Sequence, residues 1–438
     1  MDLNLNASNE PKMERDCSEM VKELLPQVEQ LVLSGQIPAA LDKLHALEKK
    51  TRAAADLWST TQILERIVEI CGGATEWVML EQQVAAMAKK HGQLKQAITK
   101  MVQKAMTYIE VAQPESTRIE LIEALRKVTE GKIHMEVERA RLTRMRASIY
   151  EQQGQINEAC DMLQEVQVET YGSMDRREKT DFILEQMRLC LAKRDFIRMA
   201  IISHKINQKY FEHEGTEDLK LRFFELMIQY DLHEENYLEV SRHYNAIYHM
   251  ASTKENQWPS VLQNMVLFLV LSPYTNEQSD MLHRVKQDHN LEKLEHSAQL
   301  VKVFTTMELA RWPAIESMDI FSAEDRSKQQ MVLRDRVIEH NIRVIAKYYT
   351  RATIQQLTKL LDLAADEVET FLSQAVSSGT IYARIDRPAG IVIFAKPREG
   401  EEQLNAWASD VNKLLSLVEK TTHLISKEEI VNKIARTI

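Results

Sequence analysis

Glycine and proline together supply only 20 of 438 residues, 11 and 9 respectively. That is under 5% of the chain, where average usage would give about 12%. These are the residues that most readily interrupt regular structure, so turns are few and the regular elements are long. The rest of the palette, 44% hydrophobic but only 6% aromatic and 28% charged, favours helix formers over strand formers. A sandwich, a barrel, a doubly wound sheet, a collagen-like chain and a disordered chain are all disfavoured. The expected fold class is mainly α.

The formal net charge of −9 suits a soluble protein and gives no nucleic-acid footprint. Cys17, Cys71, Cys160 and Cys190 contain no CxxC pair and read as reduced thiols of a cytosolic or nuclear protein. The start, Met1-Asp2-Leu3-Asn4, has no signal-peptide character. The most apolar run, Met265–Leu271, falls far short of the roughly 20 residues a membrane span needs. No membrane partner is expected.

Residues 1–15 are polar and expected to be disordered. From 16 to 325 the chain reads as a tetratricopeptide-like solenoid, because one pattern recurs. Gly35-Gln36-Ile37-Pro38-Ala39-Ala40 echoes in Gly92-Gln93-Leu94-Lys95-Gln96-Ala97 and in Gly154-Gln155-Ile156-Asn157-Glu158-Ala159. Weaker copies are Asp195-Phe196-Ile197-Arg198-Met199-Ala200 and Glu235-Asn236-Tyr237-Leu238-Glu239-Val240. A glycine just past a helix end takes the left-handed conformation, and the alanine five residues later lets two helices approach. Stacks of such helix pairs usually hold other proteins.

Five of the twenty glycines and prolines cluster in Gly379–Gly400. Around them the spacing predicts a helix over Val337–Tyr349, a Thr353 cap, a helix over Ile354–Leu361 and another opening at Ala364 and ending at Ser378-Gly379. A hairpin follows, with strands Ile381–Ile385 and Ile391–Phe394. Three helices closed by a hairpin make a winged helix, assigned to 326–397. Between Leu360 and Ala383 there is no Lys or Arg, but four acids, Asp362, Asp366, Glu367 and Glu369. Four carboxylates would be repelled by a phosphate backbone, so the expected use is protein contact through the hairpin's open edge. The candidate residues there are Ile381, Tyr382, Arg384, Ile385, Ile391 and Ile393.

Residues 398–438 open on an acidic hinge and continue as a helix. Leu404, Trp407, Val411, Leu414, Val418 and Ile425 follow a 3-4 spacing broken at Thr421, and Leu415 widens the stripe. This heptad-like seam suits bundling with helices of other chains; folding back onto the winged helix is the other reading.

Catalytic patterns are missing. There is no GxxxxGK[ST], GxGxxG or GxSxG, and the thirteen histidines form no HxH or HExxH. His233-Glu234-Glu235-Asn236-Tyr237 starts like a zinc-protease helix but lacks the second His. His283, His289 and His296 read as solvated, Trp58, Trp77, Trp258 and Trp312 as packing. No enzyme activity, metal or cofactor is expected.

Helical repeats, a winged helix and a terminal helix, in that order, resemble the PCI family, the scaffold subunits of the proteasome lid, the signalosome and translation initiation factor three. The strings Lys90–Ala97, Glu136–Thr143, Val168–Gly172, Ile338–Ile342 with Lys347–Tyr349, and Ile385–Val392 look like those of a lid subunit of the 26S proteasome. The resemblance implies that the last repeats form the helical part of the PCI module. It implies a non-catalytic scaffold of the regulatory particle, in cytoplasm and nucleus. Winged helices would join those of other PCI-family lid subunits side by side, and the terminal helix would enter the lid's helical bundle. It also implies nearness to the lid's metalloprotease deubiquitinase and to the core particle's α-ring. A signalosome scaffold, or less closely an initiation-factor scaffold, is the alternative.

Overall fold

The computed structural model describes residues 16–213, 215–250, 258–316, 326–396 and 400–435. The segment 1–15 and the hinge residues 398 and 399 lie outside them. The chain forms two compact units that divide between Glu234 and Glu235.

The first unit is a run of antiparallel helices. These are α1 (Ser18–Leu33), α2 (Ile37–Ala53), α3 (Leu57–Gly73), α4 (Trp77–Lys89), α5 (Lys95–Thr107) and α6 (Glu115–Thr129). They continue as α7 (Glu136–Gln152), α8 (Ile156–Gln164), α9 (Arg176–Lys193), α10 (Phe196–Ser203) and α11 (Glu217–His233). Each helix packs on a neighbour one or two places away in the chain, as a repeat stack requires. Ala40, Ala97 and Ala159, the small residues of the repeat, are all fully buried.

The turns follow one hydrogen-bond scheme. At Gly35 (φ 78°) the N–H of Gln36 donates to Leu31 C=O and that of Gly35 to Val32 C=O, both at 3.0 Å. This pairing satisfies carbonyls the helix end would leave open. The same scheme closes α2 at Ala55, α3 at Thr75, α7 at Gly154 and α9 at Arg194, every one at positive φ. The match expected from Asp195 is therefore displaced by one residue. Arg194 takes the left-handed position, Asp195 caps α10 through Arg198 N–H at 3.2 Å, and Met199 rather than Ala200 occupies the buried site. Gly92 (φ 76°) departs from the scheme, since α5 starts one residue later. Side chains secure that turn instead: Arg52 donates to His91 C=O at 2.7 Å and Lys90 to the fully buried Glu48 at 2.8 Å.

Ion pairs join alternate helices along this unit. Glu29 of α1 meets Arg66 of α3, Arg141 of α7 meets Glu178 of α9, and Glu151 of α7 meets Arg188 of α9, each 37 residues apart and at 2.6 Å. Arg177–Asp218 and Asp181–Arg222 continue from α9 to α11 at a separation of 41 and a distance of 2.7 Å. This ladder marks the repeat period more regularly than the glycines do. Helix α7 lies between two cores: Leu142 and Ile149 face one side, Ala140 and Ala147 the other. Its charged residues Glu138 and Arg146 are consequently buried, with Glu138 accepting from Gln103 at 2.7 Å and Arg146 donating to Tyr150 and Glu123 at 2.8 and 3.1 Å.

The second unit comprises α12 (Tyr237–Tyr248), α13 (Trp258–Leu271), α14 (Asn276–Lys286), α15 (Glu295–Thr305), α16 (Trp312–Glu316), α17 (Arg326–Tyr348), β1 (Arg351–Thr353), α18 (Ile354–Leu361), α19 (Ala365–Ser377), β2 (Arg384–Asp386), β3 (Ile391–Ile393) and α20 (Gly400–Ala435). The apolar run Met265–Leu271 is buried throughout because α13 is surrounded by α12, α14, α15 and α17. Among the described residues no helix is long and apolar enough to cross a membrane.

A strap between α15 and α16 is fastened to α17. The Asn341 side chain accepts from Ala310 N–H and donates to Ala310 C=O, both at 2.8 Å. Beside it the buried His340 faces Glu308 C=O at 3.3 Å and the Phe304 ring. Burial, aided by the neighbouring Arg343, pushes the His340 pKa down to about 4. The unfolded chain takes up this proton near pH 6.5 but the folded chain does not. Stability is therefore full above pH 6.5 and falls as pH drops towards 4, by about 2–4 kcal/mol. Opening of α17, followed across this window by amide exchange corrected for the intrinsic rate, is expected to depend on pH more steeply in wild type than in His340→Gln.

Candidate protein interface

The winged helix forms around a small core of Ile338, Ile342, Ile345, Leu357, Leu361, Val368, Leu372 and Val392. Thr353 caps α18 through Gln356 N–H at 3.2 Å, and Gln356 returns a contact to Thr353 N–H at 3.1 Å, the reciprocal box that fixes a helix start. Of the four acids, Asp362, Asp366 and Glu367 are exposed and Glu369 is half-buried. Asp362 is the left-handed residue closing α18, and Glu369 pairs with Arg387 at 2.6 Å. They leave α19 with an exposed acidic surface.

The sheet differs from the expected hairpin. It has three strands in the order β1-β3-β2, all antiparallel. β3 is central, so Ile391 and Ile393 offer no open backbone, and their side chains are half-buried. β2 starts at Arg384; before it Ile381 lies in a bend and Tyr382 in irregular chain. Ile381 packs against the winged-helix core, whereas Tyr382 is exposed. Thr380 causes the delay: its N–H and hydroxyl both reach Ala375 C=O, at 3.1 and 2.9 Å, holding the chain at the helix end.

Of the two outer strands, β1 and β2, the expected hairpin contributes β2. Phe394 N–H donates to Thr350 C=O at 3.0 Å and Ile354 N–H to Gly390 C=O at 2.9 Å, in register with Ala352 opposite Val392. Alternation along an antiparallel ladder then points the Ile391 and Ile393 backbones at β2. Arg384 and Asp386 pair inward with them, and the N–H and C=O of Ile385 face away from the sheet. The half-buried Ile385 side chain packs on the core, and Arg384 is exposed.

The second surface is α20, 36 residues long. Leu404, Trp407, Val411, Leu414, Leu415 and Val418 are between 38% and 69% exposed. No described residue of this helix is buried, so the stripe does not fold back onto the winged helix. Leu417, Leu424 and Val431, also more than half exposed, were missed by the 3-4 reading. Their own seven-residue spacing marks a second apolar line beside the first.

Nothing described here assembles catalytic chemistry. His233 ends α11 and stacks on Phe196 with ring centroids 3.6 Å apart. His283, His289 and His296 fall on three separate elements. Among the described residues no three His, Cys, Asp or Glu side chains converge as a metal-holding group. A cavity of about 1050 Å³ between α12 and α14 has balanced walls. There Arg284 pairs with Asp280 and Arg242 with Glu277, while the Tyr248 hydroxyl bridges Asp288 and Asn290.

Three family models match this chain: PSMD12/CSN4, N-terminal, over 39–256; PCI domain, over 319–396; and 26S proteasome regulatory subunit RPN5 C-terminal domain, over 402–433. The chain is 44% identical to 26S proteasome regulatory subunit RPN5 of Saccharomyces cerevisiae, over 96% of this chain and 97% of that protein. It is 42% identical to 26S proteasome regulatory subunit rpn501 of Schizosaccharomyces pombe, over 98% and 99%. To 26S proteasome non-ATPase regulatory subunit 12 of Dictyostelium discoideum it is 39% identical, over 98% of each. With repeats, winged helix and terminal helix in the matching order, the chain belongs to the PCI-domain family of 26S proteasome regulatory subunits that includes RPN5 and non-ATPase regulatory subunit 12.

Proposed function

We propose that this chain is a non-catalytic scaffold subunit of the lid of the 26S proteasome regulatory particle, acting in ubiquitin-dependent protein degradation. The observation that carries the reading is α20. It is a long helix whose apolar stripe is exposed and whose described residues include none that is buried, and it coincides with the RPN5 C-terminal match. An amphipathic helix left uncovered is stabilised by burial against other helices, which supports entry into a bundle built from several subunits. A signalosome scaffold is less favoured. The N-terminal family description covers both PSMD12 and CSN4, but the C-terminal one is specific to RPN5, and the relatives at 39–44% identity are proteasome subunits.

In this reading the β2 edge meets the winged helix of another PCI subunit. The scaffold holds the lid's deubiquitinase over the core particle's α-ring, in cytoplasm and nucleus. Affinity purification followed by mass spectrometry tests it: lid subunits are expected as the dominant partners, and signalosome subunits in their place would overturn it.

The edge has its own test. A three-residue strand offers few backbone bonds, each worth about 0.5–1.5 kcal/mol, so the exposed side chains must contribute as well. Ile385→Pro removes the outward N–H and leaves the inner ladder intact, while Arg384→Glu reverses an exposed charge. The double variant is expected to enter lid complexes at least tenfold less well. Normal incorporation would remove β2 from the interface.

A further inference from the structure

We propose that Cys160 and Cys190 form a disulfide site within the α8–α9 helix pair, oxidised by hydrogen peroxide and activated by Gln164. The two thiols belong to different helices, are buried to 1% exposure or less, and lie with sulfurs 3.8 Å apart. Closing to a bond of about 2.05 Å is within reach of modest side-chain rotation. The Gln164 amide lies against both sulfurs, its Nε2 at 3.0 Å from Cys160 Sγ and 3.2 Å from Cys190 Sγ. Arg198 donates to the Gln164 Oε1, which fixes the amide so that its N–H groups point at the sulfurs.

Such donors favour a thiolate. Hydrogen bonding from the Cys160 thiol, with Gln164 assisting, pulls the Cys190 pKa down against the effect of burial. Cys71 has no such help, and burial pushes its thiol up to about 11. The same amide borders open space. Gln164 lines a cavity of about 150 Å³ with Gln186, Arg198, Ile201, Ile202 and Lys205, so one side-chain amide separates the thiols from it.

The chemistry balances. The Cys190 thiolate attacks one peroxide oxygen, the O–O bond breaks, and the departing hydroxide takes a proton to become water. Cys160 then attacks the resulting sulfenic sulfur, the S–O bond breaks, a second water leaves with the remaining proton, and the S–S bond forms. Two thiols lose two electrons, and one peroxide becomes two waters.

The experiment treats the purified full-length chain with hydrogen peroxide under native conditions, then denatures and alkylates it. Expected are two alkylated cysteines, Cys17 and Cys71, a mass lower by two hydrogens, and a Cys160–Cys190 linked peptide that dithiol reduction releases. Cys160→Ser is expected to stop at a Cys190 sulfenic acid that dimedone traps. Gln164→Leu, which keeps the thiols and is checked for helix content, is expected to slow the linkage about three- to tenfold. Four alkylatable cysteines after peroxide, a link through Cys17 or Cys71, or an unchanged rate in Gln164→Leu each overturns the proposal.

Discussion

Replacing Leu414, Val418 and Ile425 together by Glu is expected to abolish incorporation into the lid while leaving the isolated chain folded. All three are more than half exposed, and Glu is at least as good a helix former as Val or Ile. The intramolecular cost is therefore small, within about 0.5 kcal/mol per site. In a bundle the same positions are buried, and each apolar side chain contributes about 1.5–3 kcal/mol. Three together amount to about 5–9 kcal/mol, more than a thousandfold in affinity. Lys420→Ala, on the opposite face, serves as the control and should assemble normally. Co-purification yield and the circular dichroism of the free chain are the two readouts. A triple variant that assembles like wild type would remove α20 from the interface.

Asn341→Ala should release the strap that joins α15 to α16. Asn341 is 4% exposed and holds both backbone groups of Ala310. Its loss leaves a donor and an acceptor without their partners in a half-buried position beside exposed residues, at about 0.5–1.5 kcal/mol each. Because the chain has more than one unit, global melting is a poor probe; amide exchange at Ala310 reports the opening directly. Exchange should accelerate at least tenfold in Asn341→Ala. Asn341→Asp keeps the acceptor and should fall between the two. An Ala310 amide that exchanges as in wild type would show that the strap is held by other contacts.

The string Ile338–Ile342 thus combines two tasks that the sequence showed as one. Helical spacing placed Ile338 and Ile342 on an apolar face, and they are core residues. Nothing local to His340 and Asn341 announced that they fasten a segment some 31 residues earlier in the chain. The same division runs through the repeats. Glycine marked the turns at Gly35, Gly92 and Gly154, but Ala55, Thr75, Arg194 and Glu235 adopt the same left-handed backbone without it. Tertiary packing there overrides a local cost of about 1–2 kcal/mol, and no residue type records the override.

Local chemistry was legible wherever it decided the outcome. The Thr353 cap fixed the start of α18, the left-handed Asp362 closes its end, and the start and end of α19 were placed within a residue. Strand boundaries were less so. Ile381 and Tyr382 have the β-propensity of a strand, yet the Thr380 contacts hold the chain at the helix end and the strand starts only at Arg384. β1 is three residues long, too short for any periodicity to appear. Of the interface, the α20 stripe could be read from spacing alone, whereas the edge strand depended on a partner strand that the sequence did not reveal.

The ion-pair ladder between alternate helices has a mechanical consequence. Arg141, Arg144, Arg188 and Arg222 keep between 36% and 44% of their side-chain surface in water, so each rung is a spring with a shallow well, worth about 0–1 kcal/mol and softened by salt. Breaking one rung exposes no core, because the paired side chains lie at the surface outside the apolar contacts. The stack can flex at its rungs while its hydrophobic seams remain closed. The N-terminal unit is thus compliant along its own stack, with a stiffness that rises as ionic strength falls.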